Sequence, residues 1–301
     1  MLAYFFPDTL ILPVFGNNDT KFHDNPIPDE DRAFFYDYVY RLWFQMLPGN
    51  AKMLTKEHQD HIKRTFMAGG YYRVDLTDKI SILAMNSLYY DSLRDPNLAG
   101  DSGMMQMDWL KRQLREDSGR KFIILNHVYA GARYQTFSLW NDYANQIYFE
   151  LLRSHRDKII IELAGHDHFT SMRYHTGSQV FDLPDPERDY DFHNLLIAPS
   201  FTPWYKNNPA VSVFEIDDGL IPINLKSTYF NLKPTIGKDD RTPYDQLEFR
   251  DIDYTQDYKI RELTPQAIDA FRMRLEDSNA LQKDYMIRKV GLDPNIPEEV
   301  D

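Results

Sequence analysis

Three short apolar runs, at 9–15, 121–125 and 158–164, constrain this chain more than any other feature. Each is of strand length and rich in Ile, Leu or Val. None shows the strict alternation of a half-exposed strand, so each reads as a strand covered on both faces. Between them, residues 31–47 place Phe34, Phe35, Tyr38, Val39, Leu42, Trp43 and Met46 at helical spacing, and 106–115 does the same with Trp109, Leu110 and Leu114. Strands alternating with helices predict a layered α/β fold, a sheet flanked by helices. The aromatic stripe at 34–43 reads as core rather than as a platform for lipid or base.

Further along, 211–216 (VSVFEI) and 223–230 (INLKSTYF) flank Asp217-Asp218-Gly219 and predict an antiparallel hairpin. Thr264 predicts an N-cap with Pro265 at the first helical position, and Ile268, Phe271 and Leu275 form the stripe behind it. A last helix is expected over 280–290, stopped by Gly291. No repeat and no Gly/Ser linker interrupts the chain, while Pro and charged residues thicken after about residue 231. The expected organisation is one main domain, 1–230, with a C-terminal helical extension, 231–301, packed on it.

Each apolar run ends in residues able to bind a cation. The first runs into Gly16-Asn17-Asn18-Asp19, the second into Asn126-His127, the third into Gly165-His166-Asp167-His168. Ligand groups in open α/β sheets gather beyond the carboxyl ends of the strands, so three such endings point to one site. In an extended segment His166 and His168 would project to one side and Asp167 to the other, letting two imidazoles address neighbouring metals. Asn17 adds a neutral carbonyl oxygen and His127 a third imidazole. Taken singly, His127 also reads as a hydrogen-bonded structural histidine, and Gly-Asn-Asn-Asp as an ordinary turn. His58, His61, His155, His175 and His193 lack such context and read as surface or structural residues.

In this order and after strands, Gly-Asn-Asn-Asp, Asn126-His127 and Gly-His-Asp-His resemble the later motifs of the calcineurin-like metallophosphoesterases. The flanking text narrows the resemblance. Phe6-Pro7, then Gly103 with Gln106, Trp109 and Leu110, then Pro199-Ser200-Phe201-Thr202-Pro203 ahead of Asn208-Pro209, and finally Leu263-Thr264-Pro265 are similar to the acid sphingomyelinase-like phosphodiesterases. Asn18, where many relatives have His, and His23 with Asn25 look more like the endopolyphosphatase branch.

The resemblance implies a metallophosphoesterase-like β-sandwich flanked by helices and two divalent ions, zinc before iron or manganese. Asn17, His127 and His166 would hold one ion and His168 the other, with His23, Asp19 and Asn126 placed for phosphate or for outer contacts. Water between such ions attacks phosphorus, because paired dications lower its pKa and neutralise the phosphoryl oxygens. Two departures stand against this. The family's general-acid His is Asn18 here, which cannot donate as an imidazolium does. Its Asp-x-His and Gly-Asp motifs precede the first run and are absent, so the fold is expected to be N-terminally incomplete. An open sheet edge should then await an upstream segment or another chain.

Composition sets the remaining bounds. There are no cysteines, so any metal must use His, Asn and carboxylates. Thirty-four basic against 46 acidic residues give a net charge of -12, which argues against nucleic acid and against a long polyphosphate chain. No apolar run approaches the roughly 18 to 20 residues of a transmembrane helix. By resemblance the compartment would be secretory or lysosome- or vacuole-like. Two functions follow. One is a metal-dependent phosphoesterase acting on a phosphodiester or polyphosphate, inactive as this chain stands. The other is a catalytically dead homologue serving as a structural or binding subunit.

Overall fold

The computed structural model describes residues 2–95, 101–116, 119–134, 137–175, 193–232 and 248–291. It is a mixed α/β protein with two compact units, Met1–His166 and a second that begins at Asp167.

In the first unit, α1 (Leu2–Phe5), α2 (Asp29–Tyr40), α3 (Pro48–Met53) and α4 (Lys56–Gly69) precede two strands, β1 (Tyr72–Asp75) and β2 (Ile80–Ala84). Then come α5 (Ser102–Glu116), β3 (Lys121–Leu125), the short pair β4 (Ala132–Tyr134) and β5 (Phe137–Ser138), α6 (Asp142–Ser154) and β6 (Ile159–Ala164). β2 pairs parallel with β3, and β3 parallel with β6, while β1 runs antiparallel along the outer side of β2. Phe122, Ile124 and Ile161 are fully buried, as expected of central strands.

Two expectations are corrected here. Residues 9–15 form no strand among the described residues. Pro13 has no N–H for a ladder, and side chains satisfy the segment instead. Asn50 accepts from the Ile11 N–H at 2.8 Å and donates to the Ile11 carbonyl at 2.6 Å, while the Tyr72 hydroxyl donates to the Pro13 carbonyl. The expected open edge beside 121–125 is closed, because β2 occupies it. The Ile80-Ser81-Ile82-Leu83 run is as strand-like as 159–163 and carried that signal in plain view.

Helix α2 forms where expected, with Asp29, Glu30 and Asp31 in the first turn complementing the helix dipole. It continues as a wider π-helical segment, Arg41–Met46, and ends before Pro48. Its aromatic stripe is only partly core. Of the expected residues Val39 is buried and Phe35, Leu42 and Trp43 are half-buried, whereas Phe34 is 82% exposed and Met46 67%; the buried face is carried by Tyr36, Tyr40 and Phe44 instead. A helix this aromatic on every side leaves its buried face to be chosen by its partners. Phe15 and Phe66 make that choice, with rings 5.6 and 5.8 Å from Tyr36.

The second unit holds β7 (Ser171–His175) antiparallel to β8 (His193–Ile197), and an antiparallel sheet of β9 (Ala210–Ile216), β10 (Pro222–Asn231) and β11 (Glu248–Asp253) in the order β9-β10-β11. The predicted hairpin is the β9-β10 pair. Helices α7 (Tyr254–Asp257), α8 (Pro265–Glu276) and α9 (Asn279–Arg288) follow. Thr264 caps α8 by accepting from the Ala267 N–H. Gly291 takes φ +74 after α9, a conformation that favours glycine. Tyr254, Tyr258, Phe271 and Tyr285 pack edge to face around this helical end.

Candidate functional site

Because β2, β3 and β6 run parallel, their carboxyl ends lie on one side of the sheet, and backbone bonds carry the register past the strands. The Met85 N–H donates to the Leu125 carbonyl, that of Asn126 to Leu163, and that of Gly165 to His127 at 3.1 Å. Gly165 favours this approach, since a Cβ there would lie a tight 3.1 Å from His127 Nδ1. The rings of His127 and His166 thereby stand 5.5 Å apart, edge to face.

The loop after Phe15 brings Asn17 to the same place. Asp19 Oδ2 accepts from the Gly16 N–H at 2.7 Å and closes the turn, so this carboxylate is spent on the backbone. Asn17 is buried, and its Oδ1 lies 2.8 Å from His127 Nε2. Its Nδ2 donates to Asp24 Oδ1 at 3.0 Å and faces His23 Nε2 at 3.1 Å. His23 Nδ1 in turn meets Asp24 Oδ2 at 2.7 Å. Together these contacts fix the amide. Both Nδ2 hydrogens are committed, so the carbonyl oxygen faces His127 and accepts from Nε2–H.

The sequence-predicted residues therefore separate. Asn17, His127 and His166 come together, with His23 beside them. Asn18 is exposed at the turn, and Asp19 braces the turn. Asn126 points into the core, where Nδ2 donates to the fully buried Glu162 at 2.7 Å and approaches the Tyr148 hydroxyl at 3.3 Å. The extended geometry assumed for Gly-His-Asp-His is not found. His166 has φ 73 and His168 φ 66, both left-handed, so alternation does not govern where their rings point. In the second unit, the His168 ring packs 4.8 Å from that of Tyr205, and its carbonyl accepts from the Ser200 N–H. Asp167 is fully buried and paired with Arg173 at 3.2 Å.

Three residues in this neighbourhood were not among the expected site residues. Asp24 orients Asn17. Asp91 is buried, and burial first, then the charge of Asp24, pushes its carboxyl up to about 6, against the opposing pull of the Leu93 N–H, His23 and Arg94. Glu162 anchors Asn126. Only Asp24 carried any signal, through its place in the loop after Asn17.

The donor set fits a metal in part. Oδ1 and Nε2 at 2.8 Å have nearly the spacing of two adjacent ligands on one ion, about 3 Å for bonds near 2.1 Å at right angles. It does not fit a carboxylate-bridged pair. Asp19 and Asp24 are engaged elsewhere, and among the described residues no group of three or more His, Asp or Glu is arranged to hold a metal.

No family model matches the chain. Over 310 residues it is 25% identical to acid sphingomyelinase-like phosphodiesterase 3b of Homo sapiens, covering 98% of this chain and 63% of that protein. Sphingomyelinase phosphodiesterase C of Dictyostelium discoideum is 26% identical over 231 residues, 71% of this chain and 47% of that one. Sphingomyelin phosphodiesterase B of the same organism is 22% identical over 97% of this chain and 43% of its own length. The chain thus spans less than two thirds of the curated relatives it matches. A dimetal phosphatase from Danio rerio superposes with a TM-score of 0.35 and 13% identity, over 52% of this chain and 56% of that one.

Proposed function

We propose that this chain, an acid sphingomyelinase-like relative of the calcineurin-like metallophosphoesterases, belongs to the phosphoester-hydrolysing branch of chemistry and binds a phosphodiester or phosphoanhydride at the Asn17, His127 and His166 cluster. The observation that carries the reading is the meeting of Asn17 Oδ1 and His127 Nε2 at 2.8 Å beside the His166 ring, at the carboxyl end of a parallel sheet. These three would face a divalent ion. A bound ion of this kind polarises phosphoryl oxygen and activates water.

What the chain's own residues do is narrower. Asp24 and His23 hold the Asn17 amide with its oxygen toward His127, and Gly165 lets the His127 ring seat against the β6 turn. For Nε2 to meet a cation, His127 must carry its proton on Nδ1, so ion binding would exchange the bond to Asn17 for a shared ion. One amide and neutral imidazoles hold a dication weakly, and Asn18 cannot serve as an imidazolium acid. The same donor set therefore favours binding over fast turnover, which keeps the second reading, a binding subunit derived from an enzyme, beside the first.

The test is hydrolysis of bis-p-nitrophenyl phosphate and of short polyphosphate by the purified chain with zinc, manganese or iron. Slow turnover abolished by His127→Ala supports the hydrolase. No turnover with any ion supports the binding subunit. Turnover untouched by His127→Ala contradicts the site.

A further inference from the structure

We propose that Arg94 is an anion-binding residue, placed to take a phosphate oxyanion beside the Asn17 cluster; the choice of phosphate rests on the phosphoesterase reading above. Arg94 sits in a tight turn after Asp91. The Leu93 N–H donates to Asp91 Oδ1 at 2.8 Å, and the Arg94 N–H to the Asp91 carbonyl at 3.3 Å. The Asp95 N–H then donates to Asn25 Oδ1 at 2.7 Å. Asn25 lies in the same loop as Asn17, His23 and Asp24. The turn bearing Arg94 is thus fastened directly to the loop bearing the site.

The guanidinium itself is unfinished. Nε and Nη1 are both sealed from solvent, and among the described residues neither meets an acceptor. Buried charged donors are ordinarily paired, because taking a cation out of water costs several kcal/mol unless an acceptor replaces the water. Asp91 is the carboxylate whose charge Arg94 influences, yet its Oδ1 is used by the Leu93 N–H, and it supplies no acceptor to Nε or Nη1. A planar guanidinium with free donors is suited to an oxyanion with several acceptor oxygens, such as phosphate. The net charge of -12 and the nearby Asp24, Asp91 and Asp95 select a small anion rather than a long polyanion.

The experiment titrates inorganic phosphate into the full chain in EDTA, followed by calorimetry, for wild type, Arg94→Gln and Arg94→Lys. Thermal melts check that each variant is folded. Saturable binding is expected in wild type, weakened at least about tenfold in Arg94→Gln and less in Arg94→Lys, the size expected for a lost charge-assisted bond. Equal affinity in all three, or no saturable binding in wild type, overturns the proposal. A second measurement needs no variant in the titration itself. Phosphate should shift the Arg94 Nε–H resonance of the wild-type chain, identified by its loss in Arg94→Lys, and an unmoved resonance overturns the proposal as well. The two readings fail separately. Arg94-dependent phosphate binding without hydrolysis under any metal removes the hydrolase and keeps the anion site. Hydrolysis inhibited equally by phosphate in wild type and Arg94→Gln does the reverse.

Discussion

Asn17 Oδ1 and His127 Nε2 lie 2.8 Å apart although the residues are separated by 110 positions in the chain. The contact is directed, because the other end of the Asn17 amide is held by Asp24 and His23. A two-faced amide is thereby given one orientation, with its oxygen toward the imidazole.

Asp24→Asn tests that orientation. The carboxylate accepts from Asn17 through Oδ1 and from His23 through Oδ2, whereas an asparagine has one acceptor for both. Asn tolerates the φ of 62 at this position, so the turn should persist. The variant is expected to lose about 1 kcal/mol in urea unfolding. The Asn17 side-chain amide should also exchange its hydrogens faster by NMR. Unchanged exchange would show that Asp24 does not set the amide.

His166 offers a test of stored strain. A β-carbon in the left-handed region costs roughly 1 to 2 kcal/mol, so His166→Gly should be about 1 kcal/mol more stable than His166→Ala. Both remove the imidazole, and denaturant midpoints compare them directly. Equal stability would mean the backbone there is relaxed.

Asp91 predicts a pH dependence. Its carboxyl is raised from an ordinary 3.8 to about 6, chiefly by burial, so the folded state binds this proton more tightly than the unfolded chain does. The stabilisation is complete below pH about 4 and is lost as pH rises through about 6. Asp91→Asn should flatten stability over that window and raise it at pH 7.5 by up to about 3 kcal/mol. An unaltered slope between pH 4 and 6 in thermal melts would assign the titration elsewhere.

Asn126, adjacent to His127, should matter for the fold. Asn126→Ala removes a donor from the buried Glu162 carboxylate and is expected to cost about 1 to 3 kcal/mol. Adding Glu162→Leu should recover part of that loss in a double-mutant cycle. Strict additivity would deny the coupling.

Much of this was legible in the sequence. The strands ending at Leu125 and Ala164 were readable because buried parallel strands are continuous apolar runs, and the cap at Thr264 and the stop at Gly291 because those residues have local conformational reasons. Residues 9–15 misled because an apolar segment of this length looks like a strand until its backbone partners are known, and those are the side chains of Asn50 and Tyr72. Periodicity could not choose the buried face of a helix carrying rings on all sides. His127 and His166 could be expected near each other because they follow the ends of β3 and β6, whereas Asn17 follows a segment that is not a strand. Asp91 and Arg94 were hidden because their roles arise from loops meeting across the fold, which spacing does not encode.

Titration of the metal-free chain with manganese or zinc, in wild type and in His127→Ala, His166→Ala and Asn18→Ala, tests the central claim most directly. The account predicts weak binding near one equivalent, reduced at least about tenfold by either histidine substitution and unmoved by Asn18→Ala. Two tightly held ions, or binding indifferent to His127, would contradict it.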